Sequence, residues 1–184
     1  MSREEAFNLI KQNVSNKNLV KHCLAVEAIM RALAQKFDED EDKWGLTGLL
    51  HDIDYEKTEG GLSQHSLVGA KMLEDLGLEK DICQAVKAHN EAHGIPAQTL
   101  MEKALFVTDP LTGLIVAAAL VLPSKKLAGL TAENVLNRFK EKAFARGANR
   151  EIIKKSEEYL NLSLGDFVKI GLEAMQGISQ DLGL

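Results

Sequence analysis

The chain has 184 residues, 45% hydrophobic, 27% charged and 5% aromatic, with a formal net charge of −5. That length suits one domain with its own core, or a domain with a small helical appendage. The acidic balance argues against a grip on nucleic acid by bulk charge, because such domains are usually basic.

Proline occurs only three times, and Ala, Leu, Glu and Lys are plentiful, so helix is favoured over strand. Cys23 and Cys83 fall in apolar helical patterns and read as buried free thiols of a reducing compartment. The most apolar run, Leu111 to Leu122, is roughly half the length a bilayer needs. Met1 opens no charged-then-apolar leader. The protein is therefore expected to be cytoplasmic, with no membrane partner.

In chain order, Ala6, Phe7, Leu9, Ile10 and Val14 predict an amphipathic helix over Glu4–Val14. Ser15 or Asn16 caps a second, carrying Leu19, Val20, Cys23, Val26, Ile29, Met30 and Leu33. After an acidic connection at Phe37–Asp42, a third runs from about Glu41 to His51. Asp54 to Gly61 is irregular and ends in Gly60-Gly61. Ser63 is placed as the cap of a helix that stops near Gly77, and Glu79–Asn90 forms the next. Gly94 and Pro96 punctuate a loop. Thr99 to about Leu120 reads as helical, with an interruption possible at Asp109-Pro110, and Pro123 ends it. The last third carries helices over Thr131–Ala145, Asn149–Leu160 and Ser163–Ile178. Thr131 opens only half a capping box, because Asn134 stands where Glu or Gln belongs. A soft boundary near Pro123 separates a core, 1–123, from a C-terminal helical extension, 124–184, packed on it. The expected fold class is all-α.

Four of the five histidines, His22, His51, His65 and His89, fall on or at the ends of separate predicted helices, each with apolar neighbours. Four inward imidazoles are costly to bury unless they share a partner. A divalent metal is that partner, since neutral imidazole ligates several metals. Asp52 follows His51; adjacent helical residues point about 100° apart, so both reach one ion most easily at a helix end. The irregular stretch beyond supplies that end. Asp109 lies between Leu105-Phe106-Val107 and an apolar run, with no nearby basic residue, and a metal would keep it ionised. It also precedes Pro110, where an Asp suits a helix N-cap, so cap and ligand stand side by side. His65 is either a second-site ligand or phosphate donor, or a solvent-facing residue at a helix start. His89 is either part of the metal centre or a helix C-terminal histidine favoured by the dipole. His93 reads as a polar loop residue.

The order His22, His51-Asp52, Asp109 resembles the HD superfamily of metal-dependent phosphohydrolases, over roughly Asn18 to Gly113. The resemblance implies an HD-domain helical bundle with a metal at its centre, followed by the C-terminal extension. It implies that His22, His51, Asp52 and Asp109 are ligands of a first metal. His65 and His89 match, in order, the additional histidines of members with two. Through Asp54-Tyr55-Glu56, His89-Asn90-Glu91, Leu111-Thr112-Gly113-Leu114-Ile115 and Pro123-Ser124-Lys125, the whole chain is further similar to a group of short bacterial and archaeal proteins expected to be HD hydrolases. Where many relatives read His-Asp-Ile-Gly, this chain reads His51-Asp52-Ile53-Asp54. Asp54 is expected to hold a metal-bound histidine or water. No cyclic-dinucleotide signature follows the dyad, so that substrate is not carried over.

The expected function is hydrolysis of a phosphoester in a small molecule, a nucleotide or a sugar phosphate, by a metal-activated water. Asp52 is the expected catalytic residue, orienting that water and taking its proton. The mixed ligands admit one or two ions of Mn, Fe, Co, Ni or Zn, and suit Mg less well. The alternatives are a non-catalytic ligand-binding or regulatory module that keeps the metal, and a di-iron oxygenase on the same scaffold. Lys125 and Lys126, in and beside the Pro-Ser-Lys turn, are read as donors to the substrate phosphate. Each of these two, like Lys140, Lys142 and Arg146 further on, belongs either to such a phosphate-gripping wall or to a solvated helix face, with Lys125 having the best claim. The oligomeric state is open.

Overall fold

A computed structural model describes residues 1–59, 61 and 63–184, so Gly60 of the expected glycine pair lies outside the described residues. Among the described residues there is helix and no strand. The helices are α1 (Arg3–Asn13), α2 (Lys17–Phe37), α3 (Glu41–Leu50), α4 (Leu67–Asp75), α5 (Lys80–Ala88), α6 (Leu100–Leu120), α7 (Ala132–Lys140), α8 (Arg150–Lys154), α9 (Ser156–Leu160), α10 (Leu164–Gly177) and α11 (Ser179–Leu182).

Local chemistry sets most of their starts. Ser2 and Glu5 form a reciprocal capping box on α1, and the Asn16 side chain accepts from the Asn18 amide to open α2. Asp40 accepts from the Asp42 and Lys43 amides to open α3. Each cap satisfies amides that the helix itself leaves unpaired. The Thr131 box is complete: Asn134 Oδ1 accepts from the Thr131 amide at 3.1 Å while Thr131 Oγ1 accepts from Asn134 at 3.2 Å. The expectation of half a box is corrected, because the shorter amide reaches as well as a glutamate would.

The two 21-residue helices α2 and α6 form the framework. The face of α2 carrying Cys23, Val26, Ile29, Met30 and Leu33 is buried at the i, i+3, i+4 spacing of an apolar stripe. It packs on α3, α6 and α10. Helix α6 is long and apolar enough to cross a membrane by length and composition, but most of its apolar window is buried here, among α2, α3, α5 and α7–α10. It runs unbroken through Pro110. Asp109 is therefore a mid-helix residue and not an N-cap. The proline removes only one donor, the i+4 partner of the Phe106 carbonyl.

Close helix approach rests on two glycines. A Cβ on Gly48 of α3 would lie 3.0 Å from both the Cα and the amide nitrogen of Glu27 on α2. A Cβ on Gly171 of α10 would lie 2.8 Å from Leu111 Cδ2 and 3.3 Å from Ile29 Cδ1. Neighbouring Glu27 is buried, and the Arg3 guanidinium clasps both its oxygens at 2.6 and 3.0 Å while Arg31 adds a bond at 3.1 Å. That network ties α1 to α2.

Three boundaries differ from the sequence expectation. Helix α4 begins at Leu67 and not at Ser63, because Ser66 sits at φ +72° and its amide is taken by the Asp54 carboxylate from the preceding turn. Helix α7 stops at Lys140, where the Arg150 guanidinium collects backbone carbonyls of the helix end and of the following loop, including Phe139 at 2.8 Å, Glu141 at 3.1 Å and Ala148 at 3.2 Å. The single helix expected over Asn149–Leu160 is two short ones meeting at Lys155.

Gly48→Ala should push α2 and α3 apart, since its new methyl meets the unyielding Glu27 backbone as well as Met30 Cγ, each at 3.0 Å. A loss of about 1–3 kcal/mol is expected for such overpacking, read as a lower Tm. Gly113→Ala on α6, whose Cβ would meet nothing within 4 Å, is the control and should raise Tm slightly, since alanine favours helix over glycine by about 1 kcal/mol.

Candidate metal centre

Five segments converge on one point. His22 comes from the first half of α2, and His51 and Asp52 from the C-terminal end of α3. His65 lies in the turn before α4, His89 just past the end of α5, and Asp109 in the middle of α6. His22 Nε2 lies 3.1 Å from His51 Nε2 and 3.0 Å from Asp109 Oδ1. His65 Nε2 lies 3.2 Å from His89 Nε2. Between these pairs sits Asp52. Its Oδ2 is 3.6 Å from His22 Nε2, and its Oδ1 is 3.4, 3.2 and 3.5 Å from Nε2 of His51, His65 and His89. Two groups form, His22-His51-Asp52 and Asp52-His65-His89, and within each all ligand atoms lie within 4.8 Å of one another. Asp52 belongs to both.

The outer nitrogens explain which way the rings face. His51 Nδ1 donates to the Gly48 carbonyl at 2.8 Å, and His89 Nδ1 to the Val86 carbonyl at 2.6 Å. His65 Nδ1 donates to Asp54 Oδ1 at 2.9 Å. Thr112 Oγ1 donates to the Asp109 carbonyl at 2.9 Å and so accepts from His22 Nδ1 at 2.9 Å. With its proton committed outward, each neutral ring turns an Nε2 lone pair to the centre. Two acceptors 3.1 or 3.2 Å apart then need a proton or a cation between them. Imidazole nitrogens mixed with carboxylate oxygens are a donor set that fits a divalent transition ion.

Burial sharpens that need. His51, Asp52, His65 and His89 are buried, while His22 and Asp109 are half-buried and open to a cavity. Burial holds His51 neutral, with its pKa lowered to about 4. Burial also opposes ionisation of Asp52, but His51, His65 and His89 around it outweigh that and hold it well below the usual carboxylate range. Burial opposes the charge of His65, yet the Asp52 and Asp54 carboxylates raise its pKa to about 10. His22 is raised likewise, mainly by Asp109. Cys23 is no rival ligand: burial, then the nearby Asp52 and Asp109 charges, push its thiol well up.

Asp54, standing where many relatives have glycine, holds the turn together. Besides His65 it accepts from the Ser66 amide at 2.9 Å and the Gly69 amide at 2.7 Å. Gly69 leaves room for it, since a Cβ there would lie 3.0 Å from the Asp54 carboxylate. The His65 carbonyl accepts from Asn90 Nδ2 at 3.1 Å and meets His93 Nε2 at 2.6 Å. Thr112, Asn90 and His93 are supports that sequence reasoning missed. His93 had a usable signal, because it sits three residues beyond Asn90, within one turn.

Above the centre opens a cavity of about 970 Å³ whose wall includes Asp52, Asp109, Glu56, Glu59 and Glu91, and no lysine or arginine among the described residues. Lys125 and Lys126 are not brought to it. Lys125 is exposed at φ +52°, and Lys126 Nζ donates to the Gly183 carbonyl at 3.2 Å beyond α11. Neither is on the wall of this cavity, and Lys126 is directed to the chain's C-terminal end.

The family model for the HD domain matches residues 19–118, more than half of the chain. This chain is an HD-domain protein. The HD-domain family is one of metal-dependent phosphohydrolases. An uncharacterized protein of Methanocaldococcus jannaschii is 36% identical over 110 residues, 57% of this chain and 63% of that one. Ribonuclease Y of Nitratidesulfovibrio vulgaris is 31% identical over 142 residues, 74% of this chain and 27% of its own. Ribonuclease Y of Mycoplasma genitalium is 30% identical over 77 residues, 42% of this chain and 16% of its own. The HD-domain chain thus spans less than two thirds of each of these relatives. No solved structure matches it.

Two outcomes test the centre. A raised pKa keeps the proton on His65 through neutral pH, and that proton must leave before Nε2 can ligate. Adding Mn or Zn ion to the metal-free HD-domain protein in weak buffer at pH 7 should release it. Affinity at that subsite should climb about tenfold per pH unit, levelling off near the His65 pKa of about 10. Affinity flat from pH 7 to 9 would mean that metal binding displaces no proton from His65. Asp54→Ala should weaken the subsite of His65 and His89 by about 10–100-fold, measured by metal titration, and leave the subsite of His22 and His51 filled.

Proposed function

We propose that this HD-domain protein hydrolyses the phosphoester of a small molecule, a nucleotide or a sugar phosphate. One or two divalent ions would be held by His22, His51, Asp52 and Asp109 on one side and His65 and His89 on the other. The observation that carries this is the shared carboxylate, Asp52, standing between two three-residue groups. A held divalent ion supplies a water deprotonated near neutral pH and neutralises charge on the phosphoryl oxygens. Mn, Fe, Co, Ni and Zn suit this mixture of nitrogen and oxygen donors better than Mg.

The chain's own groups do the rest. Asp52, kept ionised beside three imidazoles, orients the attacking water and accepts its proton. The wall of the cavity carries the amides of Asn18 and Asn149, which can donate to substrate oxygens. Leu19, Phe106, Pro110 and Ile152 give it an apolar side on which the leaving group can rest. With no lysine or arginine on that wall among the described residues, the charge of the reacting phosphate is left to the metal subsites. The likeness to ribonuclease Y supports a phosphoester as the bond attacked.

The test is phosphate release from a panel of phosphorylated metabolites by protein loaded with Mn or Co. Asp52→Asn should lower turnover by about 10²–10⁴-fold with unchanged helical circular dichroism. Full activity in that variant would place the chemistry elsewhere. A fully loaded protein that turns over no phosphoester would favour a non-catalytic module or an oxygenase built from the same ligands.

A further inference from the structure

We infer that a second cleft, built by the C-terminal helices, binds a phosphate group of the substrate remote from the bond that is cleaved. The inference deepens the hydrolase proposal and rests on it for what counts as substrate. The cleft, about 810 Å³, lies among the end of α7, the loop 141–149 and α8, and it carries Lys140, Lys142, Arg146, Arg150 and Lys154 against only two carboxylates, Glu91 and Glu151. Such a concentration of positive charge stands out in a chain of net charge −5.

The cations are not equally available. Arg150 is committed to backbone carbonyls, and Lys154 Nζ is bound to Glu151 at 3.2 Å. Lys140 reaches only Asn137 Oδ1, at 3.4 Å. Lys142 and Arg146 are exposed, and among the described residues neither forms a hydrogen bond or an ion pair. Both ride on a loop whose backbone Arg150 holds in place. A lysine and an arginine lining one cleft from a held backbone are suited to phosphate oxygens and focus the field that draws an anion in.

The two cavities adjoin. Glu91, Gly147, Ala148 and Asn149 line both, and Asn149 Nδ2 donates to Glu91 Oε1 at 3.2 Å along the shared wall. Near the metal centre Glu56, Glu59 and Glu91 would repel a second phosphate placed directly beside the first. One step further, past residues 147–149, the sign of the wall reverses. The occupant that fits carries two phosphate groups separated by a neutral spacer, as in a bisphosphorylated nucleoside or a 5′-phosphorylated dinucleotide, and not a chain of adjacent phosphates.

The experiment uses metal-loaded protein and α,ω-alkane bisphosphonates of graded length, which do not hydrolyse, beside monophosphonates of matching length. A bisphosphonate of the right span should bind at least about tenfold more tightly than its monophosphonate, an advantage that shrinks with added salt. Lys142→Gln with Arg146→Gln should erase that advantage and leave monophosphonate affinity unchanged. The two single variants serve if the double variant loses helical signal. If no bisphosphonate outbinds its monophosphonate, or if the variants weaken both classes alike, the second subsite is wrong. If the advantage is present and sensitive to Lys142 and Arg146 while no phosphoester is turned over, the hydrolase proposal falls and the anion cleft stands. Where turnover is observed, KM for a bisphosphorylated nucleoside against that for a 5′-phosphorylated dinucleotide tells which supplies the distal phosphate; in either case the double variant should raise KM and spare kcat.

Discussion

Imidazole lone pairs and carboxylate oxygens face one another at 3.0 to 3.8 Å in the middle of this helical bundle. Left alone, that arrangement repels itself in a medium that screens charge poorly. It persists because each ring is anchored from behind by a carbonyl, a hydroxyl or a carboxylate, and because protons or cations can occupy the middle. The architecture follows from that demand. Helices α2, α3, α5 and α6 must arrive close enough to bring their groups together; Gly48 permits the approach of α3 to α2, and Gly171 that of α10 to both α2 and α6. Arg3 and Arg31 on Glu27 hold the far side of α2 while its near side faces the centre.

Much of this was legible from residue order. Polar residues at helical positions among apolar neighbours, at His22, His51-Asp52 and Asp109, cannot be buried separately, so convergence was inferable before any coordinate. Helix existence followed from apolar spacing and from capping residues such as Asn16 and Asp40. What escaped was set by contacts distant in sequence. Nothing local says that Asp54 reaches forward to the amides of Ser66 and Gly69, so the start of α4 was misplaced by several residues. Thr112 looked like one more residue of an apolar helix, and its service to His22 is visible only when α2 and α6 are side by side. Pro110 pointed to a helix start, yet packing on both sides of α6 overrode the loss of one hydrogen bond. Lys125 and Lys126 attracted attention by composition, whereas the direction of a surface turn depends on where α11 docks.

The C-terminal helices do more than cover apolar surface. The HD-domain match ends at residue 118, but Gly147, Ala148, Asn149 and Ile152 complete the wall above the metal centre. The candidate ligands thus belong to the matched segment, while part of the cavity wall above them is contributed from outside it. Proteins sharing the first can differ in the second, which is a physical route by which one metal centre serves different molecules.

One carboxylate also ties local order to the centre. Asp54 fastens the first amides of α4 and the outer nitrogen of His65 with the same two oxygens, so fraying of that helix end and detachment of the ring are a single event. An ion seated between His65 and His89 would therefore stiffen α4, and thermal loosening of α4 would loosen the ion. Hydrogen exchange at Ser66 and Gly69 becomes a reporter of occupancy several bonds away, read from a backbone that touches no metal.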